Sequence, residues 1–411
     1  MGISGLSSSL EKLLHGSNVL FLLLGAMFVF SMHAGFAFLE VGSVRRKSQV
    51  NAMVKIITDW GFSTIIYFII GFPIAYGISF LRPAADLLGA DRGFDLVHFF
   101  FLLTFAACIP AIISGGIAER AKFWTQSLSG GIFVGLVYPF FESLVWGQTP
   151  LLGQAQSWLA NLTGGIPFHD YAGSVVVHSM GGWLALPAII VLGPRLKRYV
   201  NGESKVIKVS NIPFLALGSW LLCIGWFGFN VMSAGSIEEI SGLVALNSLM
   251  AMVGGIVTAL IISKNDVTFI HNGALAGLIA ICSGSDLVHP LGALAIGSVA
   301  AIIFVKLFQI ETEKMKIDDV LGVWPLHGVA GTWGGFACGI FGQKVLGGLG
   351  GVSLLAQTIG SVAAIAIALV SGWIVYSILK ASVGIRLSKH DEMVGSDLSI
   401  HKIEAYPEES L

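Results

Sequence analysis

Charged residues are scarce in this chain of 411 residues. They make up 11% of it, whereas a soluble domain carries about a quarter. The formal net charge is −1, which offers no basic surface for nucleic acid, so no nucleic-acid partner is expected. Hydrophobic residues fill 55% of the chain instead. This composition indicates an integral membrane protein that is surrounded by the lipid bilayer.

Cysteine is scarce as well. The 4 Cys all lie within apolar stretches, and they form neither a disulfide framework nor the spacing of a metal site. No set of nucleophile, base and orienting group is recognisable in the sequence. We therefore expect no enzyme activity, no metal and no cofactor.

The chain also lacks the alternation of apolar and polar residues that is typical of strands, so its apolar runs are predicted to be helices. We predict an all-α polytopic membrane protein with eleven transmembrane helices. These are placed at residues 18–42, 52–80, 96–117, 125–146, 172–193, 213–233, 243–262, 269–285, 288–308, 319–342 and 352–380. The 52 Gly, roughly twice the usual share, favour close packing of the helices.

The apolar runs divide the chain into two parts. Residues 1–380 are predicted to form the transmembrane domain, and residues 381–411 a charged, solvated cytoplasmic tail. The first apolar run continues into Arg45-Arg46-Lys47 without a cleavage site, so it is interpreted as a retained span and not as a signal peptide.

Basic residues predict the orientation of the chain. When the loops that carry most Lys and Arg are placed inside, only a few of the 23 basic residues stay outside, namely Lys12, Arg82, Arg92 and Lys344. We therefore predict a multi-pass protein of the cell membrane (inner or plasma), with its N-terminus outside and its C-terminus in the cytoplasm.

One sequence pattern occurs twice. In residues 170–182 an Asp is followed three residues later by Gly, eight later by His and twelve later by Gly, and residues 319–331 repeat this spacing. The two copies lie in the fifth and tenth spans. Since five spans reverse the direction of the chain, we predict two inverted five-helix repeats, spans 1–5 and 6–10, with a bracing eleventh helix. Eight helical residues cover ~12 Å, which places His178 and His327 near the membrane midplane.

A pair of imidazoles at that depth suits a chemical role. A neutral imidazole donates a hydrogen bond from one ring nitrogen and accepts one at the other, so two of them would form a polar track for a small hydrogen-bonding molecule. They would also suit proton transfer. The alternative is two structural His bonded to backbone carbonyls, although ionisable groups inside membranes are usually functional. For His33, in the first span, a structural and a functional role are both open.

Aromatic residues near the outer ends of the spans suit a mouth that attracts cations. Phe105 belongs to the third span, Trp146 closes the fourth, and a run from Trp226 through Phe229 to Ser233 ends the sixth. A hydroxyl can accept a hydrogen bond from an N–H cation. The alternative is a belt of aromatic residues that face lipid or the membrane interface.

Four motifs occur together in this sequence. They are Ile-Ala-Glu-Arg-Ala-Lys-Phe at 117–123, Asp-Tyr-Ala-Gly-Ser-Val-Val-Val-His at 170–178, Gly-Trp-Phe-Gly-Phe-Asn at 225–230 and Pro-Leu-His-Gly-Val-Ala-Gly at 325–331. With these motifs the chain resembles the ammonium transporter/methylammonium permease/Rhesus family, as an Amt-type member, over about residues 18–410. Residues 395–406 are similar to the C-terminal signature of that family.

The resemblance implies an ammonium transporter or channel, with methylammonium as a substrate analogue. The ammonium ion would be recruited at an external site formed by Phe105, Trp146 and Ser233. Phe105 and Phe229 would form a stacked gate below that site. Ammonia would then pass through an apolar pore, with its proton handled separately.

The resemblance also assigns the deeper residues. His178 and His327 would be twin pore histidines, Trp226 would line the upper lumen, and Asp170 would support the recruitment site structurally or electrostatically. The family further implies a homotrimer with one pore in each subunit and regulation by a cytoplasmic PII-type signal protein.

The first span leaves alternatives open. It reads Met-His33-Ala-Gly-Phe-Ala-Phe-Leu-Glu40-Val-Gly-Ser, unlike the Pro-Gly-x-Ala-Leu-Phe-Tyr-Gly-Gly pattern of many bacterial transporters. Similar versions occur in plant-type members and in Amt modules fused to signalling domains. A transporter is favoured, and the alternative is an ammonium sensor that signals through its cytoplasmic C-terminus. A Rhesus-like channel for neutral gas fits less well, because a neutral gas needs no cation mouth at Trp146 and Ser233.

Overall fold

The computed structural model describes residues 3–88, 92–150, 152–154, 157–163, 165–237 and 239–407. Within these residues the eleven predicted helices are all present, and we call them spans 1–11. In order they are Ser7–Ser43, Arg46–Tyr76, Gly93–Ile117, Phe123–Val145, Ser174–Leu192, Ile212–Ala234, Ile240–Ile262, Val267–Ile281, Pro290–Glu313, 324–341 and Leu354–Ser382. Nine of them are long and apolar enough to cross a membrane, and spans 8 and 10 are shorter. This confirms the prediction of an all-helical polytopic membrane protein.

The remaining elements in the described residues are short. They are helical turns at Ala84–Leu87, Trp158–Leu162, Lys344–Leu346, Lys389–Val394 and Asp397–His401. One antiparallel hairpin joins Tyr199–Val200 to Glu203–Ser204, with Tyr199 opposite Ser204.

Several helix ends differ from the predicted ones. The first helix, whose residues from Ser7 form span 1, is described from Ile3 instead of residue 18, because no Pro interrupts its polar start. Span 2 ends at Tyr76 instead of residue 80, since Gly77 takes a left-handed conformation with φ of 70°. The helix of span 10 begins at Trp324 and not at residue 319, which leaves Asp319 outside the helix. Hydropathy cannot place such ends, because they depend on capping groups and not on apolar character.

Glycines let the equivalent spans of the two halves cross at very short range. A Cβ added at Gly218 in span 6 would lie 2.2 Å from the backbone nitrogen of Leu39 in span 1. A Cβ added at Gly182 in span 5 would lie 2.0 Å from the backbone nitrogen of Gly328 in span 10. Spans 1 and 6, like spans 5 and 10, occupy matching places in the predicted repeats. The bundle is therefore closed by two backbone crossings, each made between equivalent helices.

Wide π-helical turns interrupt four of the described spans. They lie at Tyr67–Gly71 in span 2, Phe133–Val137 in span 4, Ser174–Ser179 in span 5 and Trp324–Val329 in span 10. Such turns are rare and are frequent at functional sites. The turns in spans 5 and 10 contain His178 and His327.

A buried ion cluster holds together the end of the bundle that carries the C-terminal tail, which we call the tail face. The Arg195 guanidinium donates to Glu119 at 2.9 Å and to Asp318 at 2.9 Å, and Arg45 also pairs with Glu119. Burial would raise the pKa of Asp318, but the neighbouring Arg195 outweighs it and lowers that pKa below its usual range. The fully buried Arg120 donates to four backbone carbonyls, those of Gly116, Ala118, Gly193 and Asp318.

The described part of the tail lies against this face. The Asp397 carboxylate accepts hydrogen bonds from the backbone N–H groups of Val50 at 3.0 Å and Asn51 at 2.8 Å, at the start of a helix. Lys47 donates to the backbone carbonyl of Glu392, and the Glu392 carboxylate accepts from the N–H of Leu196. These contacts join the tail to the first residues of span 2 and to the loop before span 6.

Candidate functional site

The repeated pattern builds two matching helix starts. Gly173 and Gly322 take left-handed conformations with φ of 91° and 70°, which turn the chain into each helix. One Asp170 oxygen then accepts from the N–H groups of Val175 at 2.9 Å and Val176 at 2.7 Å. Asp319 does the same for the N–H of Trp324, at 2.8 Å. A carboxylate at a helix N-terminus accepts hydrogen bonds from the unpaired N–H groups of the first turn. Its negative charge is also stabilised by the positive end of the helix dipole. The Asp and Gly positions of the pattern therefore orient the helices that carry the histidines.

The two histidines meet inside the protein. Their Nδ1 atoms lie 3.4 Å apart and their ring centroids 5.4 Å apart, and both side chains are buried. A hydrogen bond between two neutral rings requires that one Nδ1 donates to the other, which would put the two rings in opposite tautomers. In that arrangement one Nε2 can accept a hydrogen bond and the other can donate one. The Nε2 of His178 has no hydrogen-bond partner within the described residues. The pair therefore has free capacity for a small molecule with both N–H groups and a lone pair.

Two stacked aromatic rings lie directly above His178. The rings of Phe105 and Phe229 are nearly parallel, with centroids 3.8 Å apart and 9° between their planes. Phe229 lies 5.3 Å from the ring of His178, and Trp226 lies 5.0 Å from it. The Trp226 indole N–H donates to Cys282 at 3.2 Å, which holds the indole in place. The structure thus places Phe105, Phe229 and Trp226 in one layer next to the imidazole of His178.

A cavity of about 230 Å³, which we call the mouth, opens above this layer. Its lining includes Tyr76, His98, Phe105, Trp146 and Ser233. Trp146 meets Phe105 edge to face at 6.0 Å, and its indole N–H donates to the carbonyl of Asp170 at 2.7 Å. The Ser233 hydroxyl donates to the carbonyl of Phe229 at 2.7 Å, so its oxygen lone pairs stay available to accept. The structure therefore brings together the three side chains that the resemblance assigned to recruitment.

A smaller cavity of about 20 Å³ lies beneath the pair. It is lined by His327 together with Phe36, Glu40 and Asn272, among others. The Glu40 carboxylate pairs with Lys55 at 2.6 Å and accepts from the hydroxyl of Ser114 at 2.5 Å. Sequence reasoning missed this buried ion pair. The signal was present as Glu40 and Lys55 in apolar helices, but only the packing shows that they meet.

His33 does not belong to this path. Its Nε2 contacts the backbone carbonyl of Thr104 at 3.3 Å, and its ring packs edge to face on Trp60 with centroids 4.6 Å apart. It lines neither the mouth nor the lower cavity. Of the two roles left open by the sequence, the geometry fits the structural one.

A hydrogen-bonded ion pair braces the loop that precedes Asp170. His169 Nε2 lies 3.0 Å from Asp286, and both residues are outside the spans. Burial would lower the pKa of His169, but Asp286 outweighs it, so that this pKa is raised above its ordinary value. The pair therefore stabilises the fold fully below the unfolded His pKa of about 6.5 and loses its contribution as the pH rises through the higher folded value.

The pair predicts a pH-dependent effect of Asp286→Asn. We expect the variant to have a lower Tm than the wild type at about pH 6 and nearly the wild-type Tm at about pH 9. Because the imidazole is partly exposed, the free energy of unfolding should differ by less than about 1 kcal/mol. Thermal unfolding of the purified protein across this range measures it. Asp86→Asn is the control, since Asp86 is exposed. A Tm difference that grows with pH would contradict the assigned pair.

No metal site is apparent among the described residues, where no group of three or more His, Cys, Asp or Glu side chains is arranged to hold an ion. The four cysteines are free and buried.

Comparison with known proteins shows which protein family this sequence matches. Residues 20–406 match the model of the Ammonium Transporter Family. The chain is 42% identical over 417 residues to ammonium transporter Amt2 of Methanocaldococcus jannaschii, with 100% of this chain and 96% of that one covered. It is 38% identical to ammonium transporter Amt1 of the same organism, with 97% and 99% covered.

Solved structures give a matching result. A protein described as a sensor Amt protein is 32% identical and superimposes with a TM-score of 0.87, over 95% of this chain and 99% of that one. Mep2 of Candida albicans is 23% identical, with a TM-score of 0.78 over 91% and 87% of the two chains, and it shows likeness of fold alone.

Proposed function

The chain belongs to the Ammonium Transporter Family, and from this premise we propose that it carries ammonium across the membrane. The ammonium ion is recruited in the mouth, and ammonia passes the Phe105–Phe229 gate to the His178–His327 pair. The observation that carries the proposal is the uninterrupted column of side chains from Trp146 through the gate to the two imidazoles.

The gate and the buried pair supply a reason for selectivity. Moving an unpaired charge into an apolar lumen costs many kcal/mol, so a cation stops in the mouth. Ammonium can leave its proton behind and continue as a neutral molecule, whereas potassium cannot. Neutral ammonia then finds one nitrogen that accepts and one that donates on the His178–His327 pair. The protein therefore rejects potassium on chemical grounds, and the proton is handled separately.

In this proposal the recruitment residues act in different ways. The rings of Phe105 and Trp146 attract the cation through their faces, by about 0.5–2 kcal/mol each. The Ser233 hydroxyl accepts a hydrogen bond from the cation. Asp170 supports the site by capping the helix of His178 and by holding the Trp146 indole through its carbonyl.

The second candidate function is an ammonium sensor. Two observations favour it: the likeness to the solved sensor Amt protein, and the packing of the tail, which contacts the start of span 2 through Asp397 and the loop before span 6 through Glu392. In a sensor the same mouth binds ammonium and the occupied state is read at the tail face. A neutral-gas channel is less consistent with the mouth, because a neutral molecule needs no site that attracts cations.

Uptake of radiolabelled methylammonium into proteoliposomes separates the two functions. A transporter fills the vesicles at a rate that saturates with substrate and is inhibited by ammonium. A sensor binds methylammonium in detergent with the same competition but leaves the vesicles empty. A protein that shows no uptake and no binding would contradict both candidates.

Topology and partners are proposed with the function. The N-terminus lies outside and the tail face in the cytoplasm, which is supported by the concentration of Lys and Arg on that side. The protein forms a homotrimer with one pore per subunit, and a PII-type signal protein binds at the tail face; both rest on the family. Native mass spectrometry of the purified protein tests the trimer.

A further inference from the structure

A carboxylate with no part in the repeated pattern lies one helical turn below the mouth. Glu142 is fully buried in span 4, and its backbone carbonyl accepts from the N–H of Trp146 at 2.7 Å. Trp146 lines the mouth, so Glu142 lies just behind that wall. A buried carboxylate is expensive unless its charge is compensated.

The groups that contact Glu142 are tyrosine hydroxyls. Tyr67 donates to its two oxygens at 2.8 and 2.9 Å, and Tyr76 donates at 3.1 Å. None of the ion pairs found within the described ranges includes Glu142. Asp170 differs, since backbone N–H groups at a positive helix end share its charge. When ionised, Glu142 would have only neutral dipoles as partners, and burial opposes that ionisation unless a cation lies nearby.

Tyr76 connects this carboxylate to the mouth. Its side chain lines the mouth cavity, and its O–H is committed to Glu142. With its proton directed at the carboxylate, the phenolic oxygen keeps its lone pairs to accept from another donor. Hydrogen bonds in such a chain polarise one another, so the carboxylate makes the Tyr76 oxygen a better acceptor.

We propose that Glu142 is a positioning residue for cation recruitment: its buried negative charge, acting through the Tyr76 hydroxyl, increases the affinity of the mouth for an ammonium-type monovalent cation. This inference rests on the proposed function of the mouth. A cation held there would supply the opposite charge that Glu142 lacks. Tyr76 would touch the cation, whereas Glu142 would not.

Three variants test this assignment. Glu142→Gln keeps an acceptor for the tyrosines but removes the charge, and Tyr76→Phe breaks the connection. Tyr67→Phe is the matched control, because Tyr67 also donates to Glu142 but is not among the residues that line the mouth. Binding of ammonium chloride to detergent-purified protein is measured by calorimetry, and methylammonium uptake gives KM and the maximal rate. A pH of about 8 keeps imidazoles such as that of His98 neutral.

We expect Glu142→Gln to weaken ammonium binding and to raise KM by roughly tenfold, the scale of one unit charge acting through partly polar protein, with a maximal uptake rate within about twofold of wild type. Tyr76→Phe should weaken binding several-fold, and Tyr67→Phe should leave it near the wild-type value. A merely structural role would lower the maximal rate or Tm without this change in affinity.

Other outcomes overturn the inference. If Glu142→Gln binds ammonium with wild-type affinity, the inference is wrong. If Glu142→Gln does not fold, wild-type ammonium affinity in Tyr76→Phe overturns the inference instead. Equal weakening by Tyr67→Phe and Tyr76→Phe also overturns it, since the effect would then not pass through the mouth. If the wild-type protein shows no uptake but Glu142→Gln still weakens binding, transport fails and the role of Glu142 stands.

Discussion

Replacing both His178 and His327 by Ala abolishes ammonium-selective flux or lets potassium through. The two imidazoles are the polar groups that we assign to the buried path below the gate, and their Nδ1 atoms lie 3.4 Å apart. Ammonia that crosses without them loses two hydrogen bonds of about 1–1.5 kcal/mol each, which corresponds to a fall in flux on the order of 100-fold. The space left by the rings can also admit water, and with it a hydrated cation. Ammonium and potassium fluxes into proteoliposomes measure both effects.

His271→Ala is the matched control for the double variant. His271 is a partly exposed histidine of span 8 and lines neither the mouth nor the lower cavity. We expect it to transport at the wild-type rate. Unchanged flux and unchanged selectivity in a folded His178→Ala, His327→Ala protein would show that the pair is not on the path.

Gly182→Ala should strongly destabilise the fold. The added Cβ would lie 2.0 Å from the nitrogen of Gly328, and this neighbour is backbone that cannot rotate away as a side chain would. Spans 5 and 10 would have to separate, which costs roughly 3 kcal/mol or more. Because the same two spans hold the histidines, any protein that folds should also transport more slowly. The Tm of the purified variant and its uptake rate measure these effects.

Gly61→Ala provides the comparison, since a Cβ at Gly61 meets nothing within 4 Å. That variant should keep the wild-type Tm or exceed it slightly, because Ala favours the helix over Gly. A Gly182→Ala protein that matches Gly61→Ala in Tm would contradict the close crossing of the two halves.

Composition and the repeated pattern predict much of this fold. A backbone in lipid must satisfy its own hydrogen bonds, so long apolar runs can be assigned as helices from sequence alone. The equal spacing in residues 170–182 and 319–331 predicts that the two histidines share one depth, and in the structure they touch. The resemblance, and not the spacing, assigned Phe105, Trp146 and Ser233 to one site, and the structure places all three around the mouth.

The remaining features depend on packing between distant helices. Glu142 and Tyr67 are 75 positions apart, and no periodicity in either helix indicates that they meet. The contact of His33 with the Thr104 carbonyl is equally invisible in the sequence. Asp170 and Asp319 were expected inside or beside helices, whereas they cap helices whose first turns start several residues later. Side-chain partners across a helical bundle follow from crossing geometry, which a single sequence does not contain.

Solid-supported-membrane electrophysiology on the purified wild-type protein tests most directly whether this column of rings and imidazoles conducts. We predict transient currents after pulses of ammonium and of methylammonium, and no current after an equal pulse of potassium. A potassium current of similar size, or electrical silence together with intact ammonium binding and no methylammonium uptake, would contradict a selective ammonium path through His178 and His327.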